Sequence, residues 1–225
     1  MSNAPSAHPR PRSSSIPSQL LSADAALDRD VHRKGPAPLA SGVAFQAFRE
    51  SVLAQYGRAG IASMAAHLSR ASARELADGV LTHAWRPERL LMDWYEALWR
   101  GPLREDDAEL RTYVGRSIAI GLHGTRRALL RFMSPLALLE HAAEKWQREH
   151  TRGVVVLEAF DDSPSFLQVK IIHQPYAASP IARTALAESM RYVASLSGAR
   201  DVRAIRATHL LEGRDVFTVK LAWSH

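Results

Sequence analysis

Apolar positions recur at helical spacing through the first two thirds of the chain and alternate through the last third, which predicts helices followed by strands. From Val43 to Tyr56, residues Ala44, Phe45, Phe48, Val52, Leu53 and Tyr56 share one side of a helix. Gly57 and Gly60 punctuate it ahead of a shorter helix over Ile61–Leu68. Ser72 with Glu75 is an S-x-x-E capping pattern that starts another short helix, ended by Gly79. Pro87 sits at the first helical position of Glu88–Arg100, whose buried side carries Leu90, Leu91, Trp94, Leu98 and Trp99; Gly101-Pro102 stops it. Asp106 with Glu109 opens a helix that runs into Tyr113–Thr125. Ser134-Pro135 starts the next, to His150, with Leu136, Leu139, Ala143 and Trp146 on one side.

After Gly153 the period becomes two. Gly153–Phe160 is rich in β-branched residues, and Asp161–Pro164 is a turn cluster. Phe166–Ile172 places Leu167, Val169 and Ile171 on one face and Gln168 and Lys170 on the other. Ser179-Pro180 caps a long helix closed by Gly198, with Ile181, Ala185, Leu186, Met190 and Val193 on its buried face. Asp201–Leu210 is a strand whose Arg203 and Arg206 fall on opposite sides, and Glu212-Gly213 begins a turn. Val216–Trp223 alternates cleanly, with Phe217, Val219, Leu221 and Trp223 inward and Thr218 and Lys220 outward. Helices followed by β-β-α-β-β give an α+β fold: an N-terminal helical subdomain, then an antiparallel sheet with a packed helix.

Residues 1–40 differ in kind. Six of the twelve prolines and seven serines lie there, a composition that cannot bury enough surface to offset ordering entropy. The segment is expected to be a disordered tail, and 41–225 a single domain, with 41–150 its helical part and 151–225 its α+β part. The N-terminus lacks the apolar core of a signal peptide, and no run of about 18 apolar residues occurs. The expectation is a cytoplasmic protein without a membrane partner.

Composition narrows the chemistry. With no cysteine among 225 residues, disulfides, thiolate metal sites and thiol nucleophiles are excluded. The net charge of +6 comes mainly from scattered arginines. Neither a phosphate-binding glycine loop nor a dinucleotide fingerprint is present. Gly115–Ala119 lacks the second glycine of a nucleophile elbow, and Ser117, inside a helical pattern, is expected to bond a backbone carbonyl. Glu140, His141 and Glu144 share a helix face but read as a solvated polar side; His67, His83, His173 and His209 are isolated. Lys170, Lys220 and either Arg203 or Arg206 could share the outward sheet face, and Arg126, Arg127 and Arg131 form a second basic cluster. A base-reading sheet, however, presents aromatics between its charges, and Phe217 and Trp223 point the other way. Tyr113–Thr125 concentrates the remaining interest: Gly115, Gly121, Gly124 and His123 lie among apolar residues, which marks close helix approach or a helix end.

The G-V-A-F-x-A-F…Y-G run from Gly42 to Gly57, together with the order of elements, resembles the haem-NO/oxygen-binding domain and its vinyl-reductase-type relatives. The closer resemblance is to a myxobacterial family of paralogous proteins of unknown function sharing that fold. It is carried by Gly115-Arg116, Gly121, Gly124-Thr125, Arg127-Ala128-Leu129 and the strand ending at Trp223, and it covers about residues 41–223. In haem-binding members a helix histidine ligates iron, and a Tyr-x-Ser-x-Arg motif holds the propionates. His123 falls near that histidine. The equivalent strand, however, reads Lys170-Ile171-Ile172-His173-Gln174, without the tyrosine, serine or arginine. An arginine is what pairs carboxylates in a low-dielectric site, so the resemblance implies the fold and argues against the cofactor. The alternative place for His123 is a last helical turn, where the dipole favours a protonated imidazole.

The resulting expectation is a non-enzymatic signalling or protein-interaction domain without haem. A small apolar ligand would sit between helices and sheet, against Ile118, Leu122 and Leu129. The alternatives are a haem sensor using His123 and a basic nucleic-acid-binding protein.

Overall fold

The computed structural model describes residues 37–122, 124–159, 165–172, 174, 179–211 and 214–224. The expected tail up to residue 36, His123, His173 and the turns at Asp161–Pro164 and Glu212-Gly213 lie outside the described residues. The elements run β1 (Leu39–Ser41), α1 (Gly42–Ala65), α2 (Arg70–Asp78), β2 (Trp85–Pro87), α3 (Glu88–Arg100), α4 (Asp107–Ile120), α5 (Gly124–Leu130), α6 (Pro135–Glu149), β3 (Val154–Ala159), β4 (Phe166–Ile172), α7 (Pro180–Ser195), β5 (Arg200–Leu211) and β6 (Arg214–Ser224). This is the expected α+β order. The four-stranded sheet is antiparallel throughout, ordered β3-β4-β6-β5. A small second sheet pairs β1 with β2, two strands that the alternation of the sequence does not reveal.

Local chemistry explains most boundaries. Asp106 accepts hydrogen bonds from the N–H groups of Ala108 (2.7 Å) and Glu109 (3.3 Å), and Ser134 accepts one from Ala137 (3.1 Å). Ser179 caps α7 in the same way, through Ala182 N–H. Gly57, at φ 64° and ψ −160°, is non-helical and kinks α1 into two helical segments, as the glycine punctuation of the sequence implies. The cap of α2 is Ser69, one turn before the expected Ser72; Ser72 is buried instead, and its hydroxyl accepts from Trp94 Nε1 at 3.1 Å. Pro87 closes β2 and flanks α3, whose first residue is Glu88.

Two cores result. In the helical part Phe45, Phe48, Trp94 and Tyr113 form an aromatic cluster, with Phe45 edge-on to Trp94 at 5.1 Å and Phe48 edge-on to Tyr95 at 4.8 Å. In the α+β part Leu167, Val169, Ile171, Phe217, Val219 and Leu221 are fully buried against α6 and α7. Helix α7 serves both: Ala185 belongs to the first core, and Ala187, Met190 and Ala194 to the second. Its burial therefore spreads wider than the single expected face, and Ile181, Leu186 and Val193 are only half-buried. On β6 the predicted alternation holds for direction. Yet Thr218, expected outward, is 1% exposed, as buried as Phe217 on the other face.

Candidate functional site

Between the two cores lies a cavity of about 570 Å³. Helices α1, α3 and α4 form one side of it, and α6 and α7 the other. Phe48, Tyr95, Met92, Ile118, Leu138 and Leu186 illustrate its largely apolar wall. Ile118 and Leu122 line it as two of the three expected pocket residues. Leu129 does not: it is 60% exposed, and the neighbouring Leu130 faces the cavity instead, because adjacent residues of a helix point about 100° apart. His123 lies outside the described residues.

The glycines of the same stretch have separate uses. A Cβ built on Gly115 would come within 3.2 Å of Tyr192 Cδ2, so this glycine sets the approach of α4 to α7. Gly121 is the C-terminal cap of α4, and Gly124 is the first residue of α5.

Polar groups in the wall are mostly matched. Ser117 Oγ donates to the Tyr113 carbonyl at 2.8 Å, as expected of a serine inside a helix, and it accepts from Ser51 Oγ at 2.5 Å and from Gln55 Nε2 at 3.2 Å. Tyr113 O–H donates to the Phe48 carbonyl at 3.4 Å, and burial raises its pKa. Burial also pushes the Tyr95 phenol up to about 12.

One end of the cavity is different. Glu88, at the start of α3, is 3% exposed. Its Oε1 meets His150 Nδ1 at 2.7 Å and accepts from Gln174 Nε2 at 2.8 Å. Its Oε2 is buried without a hydrogen-bond partner. Trp146 stacks on the His150 ring, with centroids 4.0 Å apart and an interplanar angle of 11°. His150 is the C-terminal cap of α6, where an isolated bridge joins it to Ala40 of β1. Farther along α6, Lys145 pairs with Glu149, and His141 lies 3.6 Å from Glu144. None of Glu88, His150, Gln174 or Trp146 stands out in the sequence as a site residue. Glu88 and His150 are 62 positions apart and belong to no spaced motif, so only the fold brings them together.

The other sequence candidates stay dispersed. Among the described residues, no group of three or more His, Asp or Glu is placed to hold a metal ion, and His141 and Glu144 remain largely exposed. On the sheet the register pairs Arg203 with Ala222, a position of the same parity as Lys220, and Arg206 with Val219, a position of the opposite parity. Lys170 is held by Glu158 at 2.5 Å, which offsets part of the positive charge on that face.

No protein-family model and no curated protein matches the sequence. Solved structures do match it. The Fe(II) unliganded H-NOX protein from K. algicida superposes with a TM-score of 0.55 at 13% identity, over 82% of this chain and 97% of that one. An oxygen-binding H-NOX domain related to soluble guanylate cyclases, solved as its oxygen complex, gives 0.53 at 6% identity, over 82% and 95%. A mutant of T. tengcongensis H-NOX gives 0.53 at 8%, over 82% and 98%. Coverage of 82% of this chain and at least 95% of each of these structures makes this chain's fold that of the haem-NO/oxygen-binding (H-NOX) domains.

Proposed function

We propose that this chain is a haem-free, non-enzymatic binding domain of H-NOX-like fold that takes a small apolar ligand in the cavity between its helices and serves in signalling. The observation that carries this reading is the cavity itself. Its volume, about 570 Å³, lies within the range of roughly 300–1,000 Å³ common for small-molecule sites, and its walls are apolar with a few convergent polar groups.

The donor set of the described wall does not fit haem. Two propionates call for unpaired cations, ideally a guanidinium. The cationic or potentially cationic side chains in the wall are Lys145, His141 and His150, and each already lies beside a carboxylate: Glu149, Glu144 and Glu88 respectively. The most buried polar end presents a carboxylate, which repels propionate. Binding rather than catalysis is supported by Ser117, whose hydroxyl is committed to Tyr113 and Ser51.

The test is native mass spectrometry of protein purified without added ligand, alongside an absorbance spectrum before and after haem loading. Release of a small organic molecule, with no absorbance near the Soret region, is the expected result. Stoichiometric haem with a Soret band would overturn this reading in favour of a haem sensor, and His123→Ala would then show whether that histidine holds the iron.

A further inference from the structure

We infer that Glu88 is the polar anchor of the cavity and that the ligand is an amphiphile with an apolar body and a hydrogen-bond-donating head, an alcohol or an amine and not a carboxylate. This rests on the cavity being a small-molecule site. It adds the chemistry that such a site would select.

Glu88 is held from one side only. Gln174 and His150 both engage Oε1, and Trp146 fixes the imidazole by stacking on it. Oε2 is buried and unpartnered, on a residue that lines the cavity. An ionised carboxylate is an acceptor only, with room on each oxygen for more than one donor, so what Oε2 lacks is an N–H or O–H. Burial of such an atom without a donor is costly, which makes a donor brought by the ligand favourable. Glu88 lies in the first turn of α3, where the helix dipole favours an anion. A ligand carboxylate at this end would meet Glu88 as a second acceptor, whereas a hydroxyl or ammonium would supply the donor that Oε2 lacks. The rest of the ligand would lie along Met92, Ile118 and Leu186.

The test is titration calorimetry on the full chain with three probes that share one alkyl chain: 1-decanol, decylamine and decanoate. Decylamine and 1-decanol are expected to bind at least about tenfold more tightly than decanoate, and Glu88→Gln should shrink that preference to less than about threefold. Circular dichroism checks the fold of the variant. Should the variant not fold, the head-group ranking on the unaltered chain still decides the matter. Decanoate binding as tightly as decylamine would overturn the assignment of Glu88 while leaving an apolar ligand site in place. Binding of none of the three, together with no release of a small molecule on native mass spectrometry, would overturn the cavity reading and this inference with it.

Discussion

Gly115 faces Tyr192 across the α4–α7 contact with room for little more than a hydrogen atom. A methyl group there would sit 3.2 Å from the Tyr192 ring edge, tight but relieved by a small rotation of that ring. Replacing a mid-helix glycine by alanine gains roughly 1 kcal/mol of helix propensity, which offsets such a shift. Gly115→Ala should therefore lie within about 1 kcal/mol of the parent in urea denaturation, whereas Gly115→Leu, which must separate the helices, should cost about 1–3 kcal/mol or more. The buried phenols make a second prediction at this scale. An unfolded tyrosine ionises near 10, whereas Tyr95 in the fold holds its proton to about 12 and Tyr113 is raised as well, both chiefly through burial. Between those limits the unfolded state binds fewer protons than the native one, so stability falls as pH rises. Stability measured by denaturant should be insensitive to these groups below pH 10 and should decline between pH 10 and 12. Tyr95→Phe should flatten part of that decline.

Helix α6 is the element on which the site most depends, since it supplies Trp146 and His150 to one wall. Its start is fixed by Ser134, whose hydroxyl satisfies Ala137 N–H. Ser134→Ala should destabilise the fold by about 1 kcal/mol, read from the shift in urea midpoint at unchanged slope. Such caps are local, which is why Ser134, Ser179 and Asp106 were legible in the sequence. Where two candidates compete within one turn, the sequence is ambiguous. Ser69 took the cap of α2 because Ser72 serves Trp94, a partner 22 positions away. Alternation on β6 gave the facing of Thr218 but could not say whether that face is covered, since parity carries no information about neighbours. The same limit applies to the cavity. Ile118 belongs to the periodic helix α4 and could be nominated from it, whereas Leu122 follows the cap Gly121. Leu129 is exposed, and its neighbour Leu130 lines the cavity instead. The polar end was hidden altogether. Glu88 reads as a first-turn acid and His150 as a helix end, and those local roles are sufficient explanations until the fold joins them.

At the scale of the molecule, α7 lies between two hydrophobic cores, and the cavity opens where neither fills the space between them. The strap β1 closes this arrangement from outside. Thr151 N–H donates to the Leu39 carbonyl at 2.9 Å, Leu39 N–H donates to Thr151 Oγ1 at 2.9 Å, and Glu88 N–H donates to the Pro38 carbonyl at 2.9 Å. The residues flanking the polar end, Glu88 and His150, are thus also the residues on which the strap is hung. Any ligand slows exchange of amides that open by global unfolding, and by a common factor. Amides that open locally slow only where their own opening is linked to occupancy. The amides of Leu39, Glu88 and Thr151 are expected to exchange with deuterium markedly more slowly once the cavity is filled, beyond the common factor seen in β4 and β6. The strand β1 would then register, through its own hydrogen bonds, whether anything is bound within.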